Sequence, residues 1–171
     1  MSIVYTIGYE GTDIERFIRS LKLIGIKRLA DVRAVPISRK KGFSKNKLRE
    51  RLDKEGIEYL HFPKLGDPKP GREAARRGDY GLFEKIYNTH IETDEAQVEL
   101  DKLLRVVLIQ PTCLLCFERE ARYCHRSIVA DRLIEAADLQ RFNLYGDDPD
   151  CYVRNASRMP SFHPSESAAA A

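Results

Sequence analysis

The sequence predicts an α/β fold built on a mainly parallel sheet with helices on both faces. Three observations carry that expectation. Short apolar runs alternate with longer segments whose apolar residues recur at three- and four-residue spacing. Clusters of Gly, Pro, Asn and Asp punctuate the boundaries. With 171 residues, 43% hydrophobic and 32% charged, the chain suits one ordinary core and is too apolar for disorder. Neither an internal repeat nor a second core stands out, so the expected architecture is a single-domain, three-layer, Rossmann-like one.

Val4–Ile7 reads as the first strand, ending in the turn signal Gly8-Tyr9-Glu10-Gly11. A helix follows, with Thr12 as N-cap and Glu15 completing a capping box; Ile14, Phe17, Ile18 and Leu21 form its apolar face, and Gly25 stops it. Arg28–Val32 is the second strand. Ser44 caps a helix bearing Leu48 and Leu52, ended by Gly56, and Ile57–Phe62 is the third strand. The stretch from Pro63 to Gly81, with three prolines and four glycines, reads as a long loop. Two helices come next, one with Leu82, Phe83, Ile86 and Tyr87, the other starting at Asp94 and Gln97 and carrying Leu100, Leu103, Leu104 and Val107. Thr112–Phe117 is the fourth strand. A helix from Arg126 to Ala137 buries Ile128, Val129, Leu133 and Ile134, and Arg141–Tyr145 closes the pattern. Residues 1–146 make up the domain, and 147–171 read as a mobile C-terminal tail.

No apolar run approaches the roughly 18 residues that span a bilayer, and no signal segment opens the chain, so the expected compartment is cytoplasmic and no membrane partner is expected. The four cysteines read as thiols before disulfides. Net charge is only +3, too small to imply a polyanionic partner by itself. Its distribution is uneven. Arg39, Lys40, Lys41, Lys45, Lys47, Arg49, Arg51 and Lys54 crowd one segment against Glu50 and Asp53 alone.

Open parallel sheets bind ligands beyond the carboxyl ends of their strands, where helix N-termini converge with free N–H groups. That rule gathers Gly8, Tyr9 and Glu10, then Asp31 and Arg33, then Leu65-Gly66, then Glu118 and Cys124-His125-Arg126 at one edge. Cys124 stands at a helix start among Arg122, His125 and Arg126, a setting that favours the nucleophilic thiolate. His125 can move a proton, Arg33 and Arg126 can grip an anion, and Asp31 with Glu118 can form a carboxylate pair for acid–base work. The plainer alternatives are that Cys124 packs under its helix, that Arg126 pairs with Glu118 or Asp31, and that Arg33 joins a neutralised structural cluster. A phosphatase loop is excluded, because the position six residues after Cys124 is Ala130 rather than arginine.

Cys113 and Cys116, with Cys124 and His125, look like a zinc set. Residues three apart in a strand face opposite sides, so Cys113 and Cys116 should diverge, and neither metal nor cofactor is expected. Around Ser38 and Phe43 the basic groups can meet phosphate while Phe43 stacks on a base; a solvated basic face is the ordinary alternative. His61 and His90 read as locally satisfied.

Thr6-Ile7-Gly8-Tyr9, Asp31-Val32-Arg33 with Pro36 and Ser38, Phe43, Gly56-Ile57 before Tyr59, Leu65-Gly66, and Leu115-Cys116-Phe117-Glu118 followed by Cys124-His125-Arg126 together resemble the signature of the family catalogued as domain of unknown function 488. The resemblance covers roughly the first 135 residues. Where that family often has Gly-His-Ser after the first strand, this chain has Gly8-Tyr9-Glu10. It implies a compact α/β domain in which Asp31, Arg33, Glu118, Cys124, His125 and Arg126 act together, without choosing a reaction. Three function classes follow. One is an enzyme acting on a phosphate-bearing or nucleotide-like ligand, with Cys124 as nucleophile or polar anchor. Another is a non-catalytic nucleic-acid-binding module using residues 39–54. The third is a structural or interaction protein.

Overall fold

In the computed structural model, which describes residues 2–164, the strands β1 (Ser2–Gly8), β2 (Arg28–Asp31), β3 (Glu58–His61), β4 (Thr112–Cys116) and β5 (Leu139–Tyr145) form one sheet. Every pairing is parallel, and the spatial order is β3-β2-β4-β1-β5. The helices are α1 (Ile14–Ile24), α2 (Lys45–Asp53), α3 (Lys69–Arg76), α4 (Tyr80–Ile91), α5 (Asp94–Ile109), α6 (His125–Ala136) and α7 (Asp150–Arg154). The predicted α/β architecture is therefore the observed one.

Strand alternation divides the core cleanly. Tyr5, Ile7, Leu29, Cys113 and Leu115 point to one face, where Phe17, Ile18 and Leu21 of α1 and Leu48 and Leu52 of α2 cover them. Val4, Ala30 and Leu114 point to the other, covered by Phe83 and Tyr87 of α4, Leu103 and Val107 of α5, and Val129 and Leu133 of α6. A sheet covered on both sides requires strands apolar at successive positions, and β1 is buried along its whole length.

This order places a topological switch at the centre. From β1 the chain leaves through α1 towards β2 on one side; from β4 it leaves through α6 towards β5 on the other. Helices departing on opposite faces from adjacent strands open a crevice beyond the carboxyl ends of those strands. In this chain those ends are Gly8 and Cys116, which sit side by side in the register.

Three local expectations are corrected. The N-cap of α1 is Asp13, whose Oδ1 accepts from the Arg16 amide at 2.9 Å. Thr12 instead donates its hydroxyl to the Gly146 carbonyl at 2.6 Å, and Glu15 accepts from Arg51. The predicted loop from Pro63 to Gly81 contains a 3-10 turn (Pro63–Leu65) and α3. Prolines obstruct a helix interior but not its first positions, where the missing N–H has no intrahelical acceptor anyway. Pro68 and Pro70 occupy that start. Beyond β5, where a tail is expected, α7 packs near α1 with Tyr152 buried and its hydroxyl bonded to the Tyr145 backbone. Residues 165–171 of that expected tail lie outside the described residues.

Candidate functional site

The carboxyl edge of the sheet is held by close backbone approaches and buried polar contacts. A Cβ placed on Gly8 would lie 1.7 Å from the Glu118 carbonyl oxygen, so only glycine lets the end of β1 touch the turn after β4. That contact seats the Tyr9 and Glu10 amides on the carbonyls of Cys116 and Phe117, at 3.3 and 2.8 Å. Gly66 makes the matching approach one strand over, where a Cβ would meet the Ala34 amide at 2.1 Å. Gly8→Ala should force the Glu118–Arg119 backbone to retreat and lower stability by about 1–3 kcal/mol, as overpacking does. Urea unfolding checks it, and a variant as stable as the parent would refute the close approach.

Asp31 lies wholly buried at the end of β2. Its oxygens accept from Arg33 Nε at 2.8 Å, from Arg33 Nη2 at 2.6 Å and from the Tyr59 hydroxyl. Arg33 Nη1 donates to the Phe43 carbonyl at 2.8 Å and reaches the Tyr9 hydroxyl at 3.3 Å. Burial works against the Arg33 charge, but the Asp31 carboxylate outweighs it and holds the guanidinium protonated. The pair supports the site from beneath: Asp31 is wholly buried, with both oxygens bonded to protein donors. Phe43 is also wholly buried, stacked on Tyr9 at 4.5 Å between ring centres, and offers no face to a base. Ser38 exchanges hydrogen bonds with Ser44, which explains why Ser44 caps α2 by position only.

Arg126 is 0% exposed. It pairs with neither Glu118 nor Asp31. Its guanidinium donates to the backbone carbonyls of Glu118 and Arg119, the latter at 3.0 Å, and to Thr6 Oγ1 at 3.3 Å. All three nitrogens bond protein acceptors, and no part of the side chain reaches the surface. It fastens the turn after β4 and places one positive charge beneath the thiols.

Those thiols form the heart of the site. Cys116 ends β4, Cys124 is the N-cap residue of α6, and His125 opens that helix. His125 Nε2 lies 2.7 Å from the Val32 carbonyl, which can only accept, so Nε2 carries the proton there. This bond joins the Asp-Val-Arg corner to the Cys-His-Arg corner. It also aims Nδ1 at both sulfurs, 3.7 Å from Cys116 and 3.8 Å from Cys124. The Cys116 thiol donates to Glu118 Oε2 at 3.0 Å. Cys113 faces the opposite core, as its three-residue offset requires, and takes no part.

The electrostatics follow from this packing. Burial raises the Cys124 pKa, yet the neighbouring Cys116 thiol and the positive charges of His125 and Arg126 overcome it and hold the Cys124 thiol well below its usual value. Burial, and then negative charge on neighbouring Cys124, push the Cys116 thiol well above its usual value. Burial opposes the His125 charge, but the Cys124 thiolate raises its pKa to about 9. Glu118 is pushed up to about 7 by burial and then by Cys124.

A pocket of about 550 Å³ opens over this cluster. Cys116, Glu118 and His125 line its floor; Arg33 and Tyr9 line one wall. The remaining wall comes from residues that sequence reasoning passed over: Asp67, Arg72 and Arg76 on or beside α3, and the ring pair Tyr80–Tyr123, 4.8 Å apart. Asp67 is buried, which pushes its carboxyl up to about 6. A proline-led start before Arg-Glu-Ala-Ala-Arg-Arg was the available signal for α3. Glu10 accepts from the Arg119 amide at 2.9 Å and braces the turn. His61 and His90 each bond a backbone carbonyl through Nε2, those of Arg33 and Lys64.

A family model described as domain of unknown function DUF488 matches residues 13–133. The chain belongs to the DUF488 family. The matched span runs from the N-cap of α1 into α6 and takes in the Asp31–Arg33 support, α3 and the Cys116–Cys124–His125 cluster, leaving Gly8, Tyr9 and Glu10 outside it. No curated protein and no solved structure matches this DUF488 chain. Among the described residues no helix is long and apolar enough to cross a membrane.

Proposed function

We propose that this DUF488 protein is an enzyme acting on a phosphate-bearing, nucleotide-like ligand held beyond the carboxyl ends of β1 and β4. One observation carries the reading: a single pocket joins three arginines, an aromatic pair and a thiol–imidazole–carboxyl floor. Its volume suits a small organic ligand.

The roles differ from those assigned by strand-end reasoning alone. Arg72 and Arg76 hold the anion: Arg72 commits one nitrogen to the Asp67 carbonyl and keeps the others, whereas every guanidinium nitrogen of Arg33 and Arg126 already meets a protein acceptor. Tyr80 and Tyr123, 40% and 37% exposed, offer a flat surface for a base. Cys124 and His125 stand at the reacting end. Glu118, hydrogen-bonded to Cys116, exchanges protons with the ligand. The basic segment from Arg39 to Lys54 has no part in this reading. Lys47, Arg51 and Lys54 there already pair with glutamates.

Calorimetric titration with adenosine monophosphate and with inorganic phosphate tests the assignment. The double variant Arg72→Ala/Arg76→Ala should bind both probes about 10-fold more weakly or worse, the effect of losing charge-assisted hydrogen bonds. Tyr80→Ala should weaken the nucleotide and spare phosphate. Conversion of members of a nucleotide panel, followed by chromatography, should disappear in His125→Ala. Wild-type protein that binds neither probe at low salt ends the proposal; binding without any conversion reduces it to a binding module.

A further inference from the structure

We infer that Cys116, Cys124 and His125 form a binding site for one borderline-soft divalent ion of the zinc type, with a fourth position open to the pocket. The inference goes beyond the ligand reading and stands on the pocket floor alone.

The three donor atoms, Cys116 Sγ, Cys124 Sγ and His125 Nδ1, all lie within 4.8 Å of one another. Zinc bonds of about 2.3 Å to sulfur and 2.0–2.1 Å to nitrogen give a tetrahedron with S···N edges of about 3.6 Å. The two S···N separations are 3.7 and 3.8 Å. Along the two S···N edges an ion at the centre therefore needs adjustments of only roughly a tenth or two of an ångström, within the flexibility of side-chain torsions.

Orientation is supplied in advance. A metal-bound histidine characteristically donates its second ring N–H to a carbonyl or carboxylate, which fixes the ring and turns the other nitrogen's lone pair to the metal. His125 holds the same arrangement through Nε2 and the Val32 carbonyl at 2.7 Å, and an entering ion displaces the Nδ1 and thiol protons to solvent. The sulfurs come from two rigid elements, the end of β4 and the start of α6. Arg126 fastens the intervening turn by its carbonyls, so the donor spacing does not depend on the ion to create it.

Chemistry narrows the ion. Two sulfurs and an imidazole suit zinc and its soft neighbours, and do not suit magnesium or calcium, which take oxygen. Three protein donors with one open corner is the arrangement of reactive rather than purely structural zinc sites. The open corner follows from placement: Cys116 and His125 both line the pocket, and Glu118 stands beside them outside the donor triangle. The Cys-Leu-Leu-Cys spacing points to Cys113 as a ligand, and the sheet removes it by turning it to the other face. The three remaining donors are separated by a strand end and a helix start, a pattern that spacing rules do not detect.

Cobalt(II) titration of the full chain tests the site by spectroscopy without any need for a substrate. The expected result is saturation at about one ion per chain, with a sulfur-to-cobalt charge-transfer band and the visible bands of tetrahedral cobalt. Cys116→Ala and Cys124→Ala should each reduce the charge-transfer band and weaken binding about 100-fold or more, since even second-sphere changes cost 10- to 100-fold. Cys113→Ala should leave the spectrum unchanged. A folded wild-type chain with no such band, or a band indifferent to both ligand substitutions, overturns the inference. Should either variant fail to fold, the wild-type chain still decides: zinc must slow alkylation of Cys116 and Cys124, located by peptide mass spectrometry, and leave Cys151 unaffected. Equal rates with and without zinc overturn it. Loss of nucleotide binding in Arg72→Ala/Arg76→Ala with the cobalt spectrum intact would separate this site from the anion site above it.

Discussion

Replacing Asp31 by alanine should cost this protein about 3–5 kcal/mol of stability, the expected price of removing one partner from a buried ion pair. The loss comes less from the missing attraction than from what stays behind. Arg33 would keep a buried guanidinium with two donors unmatched, and the Tyr59 hydroxyl would lose its acceptor. The Arg33 amide also donates to Asp31 at 3.1 Å, so the backbone that presents the Val32 carbonyl to His125 would loosen. Two further variants separate charge from shape. Asp31→Ala/Arg33→Met, which removes the orphaned charge, should regain part of the stability; Asp31→Asn, which keeps one acceptor, should fall between. Urea unfolding of all three checks the order. A loss below about 1 kcal/mol for Asp31→Ala would mean that the carboxylate does not anchor the buried Arg33 charge.

Arg126→Ala should be comparably severe, at roughly 3–5 kcal/mol, by a different route. No carboxylate faces this guanidinium among its hydrogen-bond partners; it is held by two carbonyls and a hydroxyl. Truncation would leave those acceptors unsatisfied and open a cavity under the turn. Arg126→Lys should not rescue it, because an ammonium on a flexible stem cannot reproduce the planar fork that spans three acceptors. Hydrogen exchange gives a local readout. The Glu10 amide, bonded to the Phe117 carbonyl at 2.8 Å, should lose protection in Arg126→Ala more than amides in α5 do. Uniform loss across both regions would point to global destabilisation and against a local clasp.

Both variants bear on why the site reads differently in one dimension and in three. Residue type and position at the strand ends assign both Arg33 and Arg126 to the ligand. Asp31, Arg33 and Arg126 do come to the right edge. Each of their side-chain nitrogens and oxygens, however, already bonds a protein partner, and a sequence does not display which partner lies within reach. Phe43 fails as a base platform for the same reason: its ring is already stacked on Tyr9. The anion-binding groups of the proposal, Arg72 and Arg76, stood in a segment whose prolines and glycines suggested a loop. Composition there described the helix's start and end, and masked its middle.

The amino-acid order alone determined the parallel α/β architecture, because short continuous apolar runs and period-3.6 apolar patterns are local properties that each element imposes on itself. It also determined that Cys113 and Cys116 part company, since strand alternation is equally local. Tertiary structure alone decided which polar groups are spent on support and which face the pocket. It also decided that Cys116, Cys124 and His125 meet around one point. Those outcomes depend on distances between segments brought together only when the sheet assembles, and no local periodicity encodes them.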